Sequence, residues 1–378
     1  MPATYTAARQ FAWPGTTKCE PLRRKYPEKM VYCPANHLRN TSEMKFSIKQ
    51  IAAQAGVSKA TVDRALHQRG AVHAQTERRI AQALRDLEQQ QRMSLASGRT
   101  IPIDVILHTP TRFSQLVTDA LLAEIASFAP FRLTLRLHVF ENTDPQQIRR
   151  LMQRCASDSY GIILKAENDR MLTEVIEELL KQRVPVVTLV TDLPDSQRIR
   201  YVGIDNHSAG HTAAYLMARL LGQRTPQVAV VTGSERFQGE QDRAAGFCAA
   251  LAQMAPALTT LRISAGYGID HPTFCALAQQ LERHPALGAV YCAGGGNSAI
   301  VRAFAAAGRE IAVFIGHDLD SENRQLLSEG KMDLLIHHEL QQDARCIFQS
   351  LLAFHGYIPQ PEVSAPFSRV SVITPWNA

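Results

Sequence analysis

Between Phe46 and Glu88 the apolar positions recur with a helical period. In "IKQIAAQAGVSKATVDRAL" (48–66), Ile48, Ile51, Ala52 and Ala55 fall on one helix face at i, i+3, i+4 and i+7. Gly56 can take the left-handed conformation of a sharp turn. Ser58 suits the N-cap of a second helix with Val62, Ala65 and Leu66 turned inward. A third helix is expected over 74–88, with Ile80, Leu84 and Leu87 inward. Three such helices enclose little core, so 44–88 is a small all-α module. From 101 onward the pattern changes. Strand-length apolar runs are expected at 103–108, 133–140, 160–165, 185–190, 228–233, 287–293 and 311–318. They alternate with amphipathic helices near 114–127, 145–156, 169–182, 207–221, 241–253, 273–283, 297–307 and 320–329. Strands that are apolar throughout, alternating with helices, predict an α/β body of parallel sheets covered on both faces. Ligands of such sheets bind beyond the strands' carboxyl ends. "VGID" (202–205) and "IGHD" (315–318) each place an aspartate just after a strand, which hints at two similar lobes facing one cleft.

Residues 1–43 contain scattered prolines and no sustained period, and they read as a disordered extension. Met44 stands just before the first ordered pattern. The expectation is either that translation naturally starts there or that the extension is a basic arm. At 378 residues the chain exceeds one ordinary domain. No apolar run reaches the ~18 residues of a membrane helix, and the N-terminus lacks the order of a secretory signal. A cytoplasmic protein without a membrane partner is expected. Seven scattered cysteines without a C-x-x-C read as reduced thiols. No zinc site is expected from them.

Charge divides the chain unevenly. Residues 1–43 sum to +4 and residues 44–99 to +6, so 100–378 carries −4 of the total +6. A basic head on a mildly acidic body points to a polyanion partner for the head. The alternative is a solvated basic surface. The two helices around Gly56 have the spacing of a helix–turn–helix, whose second helix reads the major groove from its outer N-terminal end. Lys59, Ala60, Asp63 and Arg64 project away from Val62, Ala65 and Leu66. Arg64 has the fork geometry for guanine, and Ala60 allows close approach to a thymine methyl. Ser58, Thr61 and Thr76 can contact phosphates. Arg69, Arg78 and Arg79 add non-specific attraction. The alternative is an αα-hairpin that docks a protein partner.

"SIKQIAAQAGVSKATVDRAL" followed by "AVHAQTERRIAQAL" resembles the head of the lactose-repressor (LacI-type) family of bacterial transcription regulators. The matching elements are Ile51-Ala52, Ala55-Gly56-Val57-Ser58, Thr61-Val62, Arg64, Val72 and Thr76. The resemblance covers about 44–378 and excludes 1–43. It implies a homodimer on a near-palindromic operator, with Lys59, Ala60 and Arg64 reading bases. Asp63 stands where the family usually has serine, and His73 replaces the usual serine cap of the third helix. The hinge departs further. "LEQQQRMSLASGR" (87–99) lacks the family's tyrosine and proline–asparagine pair, and Leu95 is its one candidate wedge. Residues 89–100 read as a hinge helix or a polar linker.

The resemblance also implies a two-lobed, periplasmic-binding-protein-like (type I) body over 101–378. Lobe 1 is expected at about 101–205 plus 338–378, and lobe 2 at about 206–337. A sugar or polyol bound between the lobes would tune operator affinity. In such a cleft carboxylates, amides and arginine satisfy hydroxyls, and an aromatic ring stacks on the apolar face. The matching positions are Phe113 as the stacking ring, Arg112 beside it, Asp192, Asp205, Arg243, Asn297 after "GGG", Asp318 and His338. Core packing is the other reading of Phe113, and a helix N-cap is the other reading of Asp205. A turn residue is the other reading of Asp192, and a surface arginine is the other reading of Arg243.

An enzyme is not expected, since "GGGNS" (294–298) lacks the ending of a phosphate loop and no G-x-S-x-G occurs. His317, Asp318, His337 and His338 do not form a recognised metal frame. No cofactor is expected. The competing readings are a solute receptor or enzyme without DNA binding, and a regulator that senses a nucleobase, a sugar phosphate or a sugar acid.

Overall fold

The computed structural model describes residues 46–378 except 68, 71, 97, 223, 265 and 362–364. The expectations for 1–43 and Met44 lie outside the described residues. The chain divides into two compact units, one ending at Leu84 and one spanning Arg85–Ala378.

In the first unit, α1 (Ile48–Ala55) opens with a capping box in which Ser47 and Gln50 satisfy each other's amides. Gly56 ends it at φ 61°, and its N–H returns to the carbonyls of Ala52 and Ala53. Helix α2 (Lys59–His67) is capped by Ser58 Oγ, which accepts from Thr61 N at 3.1 Å. Helix α3 (Ala74–Ala96) begins where His73 Nδ1 accepts from Gln75 N at 3.3 Å, so the histidine ring replaces a hydroxyl cap. Ile51, Val62, Ile80 and Ala83 are buried. At ~1.5–3 kcal/mol for each large side chain, that core is small. Helix α3 runs eight residues beyond the expected 88. The segment 89–96 is therefore helical rather than a polar linker, because its Gln, Arg, Met and Leu residues favour helix and no proline interrupts them. The side chain of Leu95, the candidate wedge, lies outside the described residues.

The second unit holds two sheets. The first has the order β2-β1-β3-β4-β5: β1 (Thr100–His108), β2 (Arg132–Phe140), β3 (Ile162–Lys165), β4 (Val186–Leu189) and β5 (Arg200–Val202), all parallel. Helices α4 (Thr111–Ile125) and α12 (Leu340–Phe354) cover one face through Phe113, Val117, Leu121, Ile347, Phe348 and Leu351. Helices α5 (Pro145–Cys155) and α6 (Arg170–Lys181) cover the other. The second sheet has the order β11-β10-β9-β8-β6-β7: β6 (Gln227–Thr232), β7 (Thr259–Ser264), β8 (Leu287–Cys292), β9 (Phe314–His317), β10 (Leu334–His338) and β11 (Val370–Ile373). Helices α7 (Asn206–Leu221) and α8 (Gln238–Met254) pack on one face. Helices α9 (Asp270–Arg283), α10 (Asn297–Ala306) and α11 (Ser321–Ser328) lie on the other. Every residue of β3, β4 and β9 is buried, as two-sided coverage requires.

One lobe boundary needs correction. Residues 338–378 do not all return to the first lobe: α12 does, but β11 pairs antiparallel with β10 in the second sheet. Val370 and Val372 pack into the α7–α8 core, which draws the chain back across. On the way, Ser368 bridges Ile204 and donates its N–H to Gly203 O at 2.9 Å. The edge strands β5, β7 and β11 carry too few consecutive apolar residues to stand out in the pattern.

Candidate functional site

The first unit presents its cations outward. Val62 is fully buried, which leaves Lys59, Ala60 and Arg64 exposed on α2. Ser58 Oγ and Thr61 Oγ1 bond each other at 2.8 Å, and Thr61 is half-buried. Arg64 Nε donates to Ala60 O at 3.3 Å, a bond within its own helix that leaves the tip of the guanidinium in solvent. Asp63 faces His67 (3.5 Å) and Arg69 (3.9 Å), so it orients those side chains rather than Arg64. Thr76 is half-buried in the first turn of α3. Arg79 departs from its expected role. Its Nη2 donates to Ala55 O (2.8 Å) and Gly56 O (3.2 Å), closing the C-terminus of α1. Arg78 stays exposed.

The second unit has a cavity between its lobes, at the carboxyl ends of both sets of strands. Lobe 1 contributes Arg112 and Phe113 from the start of α4, Lys165 from the end of β3, and Val190 and Thr191 after β4. Lobe 2 contributes Phe237, Glu240 and Arg243 around the start of α8, Tyr267 after β7, Asn297 after β8, and His317, Asp318, Asp320 and Asn323 around α11. The structure thus brings together five expected residues: Arg112, Phe113, Arg243, Asn297 and Asp318. Phe113 meets both of its readings, since it lines the cavity and belongs to the lobe 1 core.

Three expected residues do not line the cavity. Asp192 accepts from Leu193 N (2.8 Å), Thr188 Oγ1 (2.7 Å) and Arg198 Nη2 (2.5 Å), which makes it the organiser of a turn. Asp205 is the N-cap of α7, accepting from Ser208 N at 3.1 Å and Ser208 Oγ at 2.7 Å. His338 is buried behind Asp318, 3.9 Å away, with Nδ1 in contact with Asp343 Oδ2 at 2.6 Å. It can orient Asp318 but does not reach the cavity.

Arg243 is 3% exposed yet is no surface arginine. Its Nε donates to Asn206 Oδ1 (2.7 Å) and its Nη1 to Ala293 O (3.0 Å). Asn206 in turn donates to Tyr201 Oη (2.9 Å) and to Val190 O (3.3 Å). This chain of bonds runs from the lobe crossover into the cavity. The remaining Arg243 nitrogen, Nη2, is buried and unpartnered among the described residues. So are Asp318 Oδ1 and Asn297 Oδ1. Asp318 and Val190 have φ of 68° and 67°, strained values for residues with a Cβ, and both stand at strand ends facing the cavity. The glycine run after β8 has a packing reason: a Cβ on Gly294 would lie 2.4 Å from Gly233 N.

Several lining residues carry no motif that marks them. Phe237 and Tyr267 line the cavity and form a ring cluster with His108 next to them, with centroids 5.0–6.2 Å apart. Burial, then the charge of Lys165, pushes His108 down to about 4 and keeps it neutral. Burial, then Arg243, holds His317 well below the usual histidine range, and its Nε2 bonds Tyr291 Oη at 2.8 Å. Burial raises Glu240, whose Oε2 accepts from Gly233 N (2.6 Å) and Ser234 N (3.3 Å). Lys165 had one legible sign, a lone cation ending the apolar strand "IILK".

The lobes touch on both rims. On one, Arg112 donates to Gly268 O (2.8 Å) and lies 3.1–3.6 Å from Asp270, Asp320 and Glu322. Burial pushes Asp320 up to about 6. On the other, Ser234 Oγ donates to Glu167 Oε1 (2.7 Å) and Gly239 N to Thr191 Oγ1 (3.0 Å). Among the described residues, Asp104, His138 and Cys155 cluster as metal-binding groups do. Arg136 already engages Asp104 through Nε (3.0 Å) and Nη2 (2.5 Å), which leaves no room for a cation. No helix among the described residues is long and apolar enough to cross a membrane.

The model of the periplasmic binding protein domain family matches residues 131–353. That of the bacterial regulatory proteins, lacI family, matches residues 47–89. The HTH-type transcriptional regulator AglR of Rhizobium meliloti (strain 1021) is 27% identical over 289 residues, covering 73% of this chain and 78% of that protein. Among solved structures, GanP, a glucose-galactose binding protein from Geobacillus stearothermophilus, is similar with a TM-score of 0.62 at 21% identity. That match covers 74% of this chain and 99% of GanP. A putative LacI transcriptional regulator from Bacteroides fragilis gives a TM-score of 0.64 at 16% identity, over 74% of this chain and 97% of its own. These structural likenesses establish the two-lobed fold.

Proposed function

Because the chain belongs to the periplasmic binding protein domain family and bears the head of the lacI family of bacterial regulatory proteins, we propose that it is a homodimeric, cytoplasmic repressor released from or fixed to its operator by a small carbohydrate or polyol. Lys59, Ala60 and Arg64 read base edges. Ser58, Thr61 and Thr76 contact phosphates, and Arg69 adds attraction. Arg112, Phe113, Arg243, Asn297 and Asp318 form the effector site. No catalytic role is assigned to any residue.

One observation carries the effector reading. Buried, unpartnered polar atoms of Arg243, Asp318 and Asn297 line a single cavity. Such groups destabilise a fold by ~1–3 kcal/mol each unless something satisfies them. A hydroxylated ring donates to Asp318 and Asn297, accepts from Arg243, and lays its apolar face on Phe113. A ligand that favours one lobe arrangement by a few kcal/mol shifts DNA affinity through linkage.

The test is Asp318→Ala. Selection of duplexes from a random pool with wild-type protein should return a near-palindromic site. Asp318→Ala should bind that site normally and no longer respond to the sugar or polyol that moves wild type. A variant that still responds fully removes Asp318 from the site. A receptor or enzyme without DNA binding would show no salt-dependent retention on any duplex.

A further inference from the structure

Lys165 and Arg243 are the two deeply buried cations of the cavity. Neither has a carboxylate within 4.0 Å among the described residues. Lys165 Nζ makes a single hydrogen bond, to His108 O at 3.3 Å, and sits 4.4 Å above the ring of Phe237 and 5.7 Å from that of Phe113. A ring face compensates only part of an ammonium's lost hydration. Two of its N–H groups and Arg243 Nη2 therefore remain as donors, each carrying charge.

The acids of the cavity do not balance them. Asp320 caps α11 through Asn323 N (2.8 Å) and faces Arg112. Glu240 closes the loop after β6 by accepting from two of its backbone amides with Oε2. Asp318 alone offers an unpartnered carboxylate oxygen. His317, the histidine that lines the cavity, and His108 next to it are held neutral. Among the described residues, the charged groups with hydrogen-bonding capacity to spare thus comprise two cations, Lys165 and Arg243, and one carboxylate, Asp318.

We infer that the effector is a sugar acid: a polyhydroxylated carbon skeleton bearing one carboxylate, which Lys165 and Arg243 hold while Asp318 and Asn297 accept from its hydroxyls. The inference rests on the reading of this cavity as the effector site, and it names the charge of the occupant. A monoanion cancels the surplus cation. A phosphate dianion would leave a buried negative charge uncompensated.

The test uses the full-length protein in thermal-shift and calorimetric titrations against matched probes. These are D-glucose, D-gluconate, D-glucuronate and D-glucose 6-phosphate, with the corresponding galactose and xylose sets. An aldonate or uronate is expected to raise Tm at concentrations where its neutral parent and the phosphate do not. Lys165→Met should lose at least tenfold affinity for that acid while binding the neutral parent no worse. Without ligand it should melt no lower than wild type, because an unpaired buried charge has been replaced by an apolar chain of similar length. Lys165→Gln, run beside it, should show the same loss for the acid.

A neutral sugar that binds wild type and Lys165→Met equally well and releases DNA overturns this inference and leaves the effector reading standing. A phosphate ester as the tightest ligand likewise overturns the carboxylate. A panel in which nothing moves Tm overturns both.

Discussion

The head and the cleft keep their charge in opposite places. On the head, Lys59 and Arg64 stand in solvent, and their helices are closed by their own caps at Ser47, Ser58 and His73. In the cleft, Lys165, Arg243 and Asp318 are buried and Glu240 is half-buried, and among the described residues Arg243 and Asp318 carry atoms with no partner. Exposed charge is cheap to keep and acts at long range on a polyanion. Buried charge destabilises the effector-free fold and acts only on what enters the cavity. The first arrangement suits a polymer approached from outside, and the second suits a small molecule that must be enclosed.

The sharpest way to break this contrast is Arg243→Ala. It leaves Asn206 Oδ1 and Ala293 O without their donor, at ~1–3 kcal/mol each. Urea unfolding of the body should show a loss of about 3 kcal/mol. Effector affinity should fall at least a hundredfold, and the head should still hold its duplex. Comparable loss of DNA affinity would mean that the two regions are not separable. Next in size is Arg64→Ala on the head, with an expected loss of ~1–3 kcal/mol for the selected duplex and relaxed preference at one base position. Melting temperature should stay put, since the side chain supports little beyond its own helix. Unchanged base preference would remove Arg64 from the reading set.

These two regions also differ in how plainly the sequence announced them. The head is local: its cap, turn glycine and inner face all lie within 48–66, so periodicity and spacing suffice. The cleft joins residues from Arg112 to Asn323, and only folding brings them together. A strand-end position marked Asp318 as facing the cleft, and the family resemblance marked Asn297. The same logic misplaced Asp192 and Asp205, because an aspartate after a strand serves equally well as a turn or helix cap, and here the nearby amides took it. Phe237, Tyr267 and Glu240 had no pattern to betray them. Lys165 did, as the one charge on a strand buried on both faces. Strands β7, β10 and β11 and helix α12 were missed for related reasons. β7 and β11 are sheet edges, β10 is a five-residue strand that ends in two histidines, and α12 follows a crossover that apolar periodicity does not mark.

Acid–base behaviour offers a milder probe of the same difference. Burial pushes Lys165 down to about 8 from an unfolded value near 10.5; Arg243 acts in the same direction, while Glu240 and Asp318 oppose it. Above pH 8 the folded Lys165 therefore binds fewer protons than it does in the unfolded chain, so its own contribution to stability should rise as pH climbs from about 8 toward 10. One proton sets the ceiling, at about 1.4 kcal/mol per pH unit. Buried Cys155 and Cys292, pushed up by burial to about 12 and about 11, pull the other way, so chemical unfolding across that window should show a slope more positive in wild type than in Lys165→Met. A slope unchanged in the variant would place its origin elsewhere.

The smallest effect separates two neighbours on the head itself. Arg78 and Arg79 are adjacent and both exposed, yet only Arg79 turns back to the carbonyls that end α1. Arg79→Ala should destabilise the head by about 1 kcal/mol, the worth of a charge-assisted bond at a surface helix end. Arg78→Ala should leave melting unchanged and instead flatten the salt dependence of DNA binding by roughly one phosphate. The pair tests whether a cation on this surface acts on the duplex or on the fold. If the two variants behave alike, the carbonyl contacts of Arg79 carry no weight, and the head's charge is as uniformly outward as its sequence suggested.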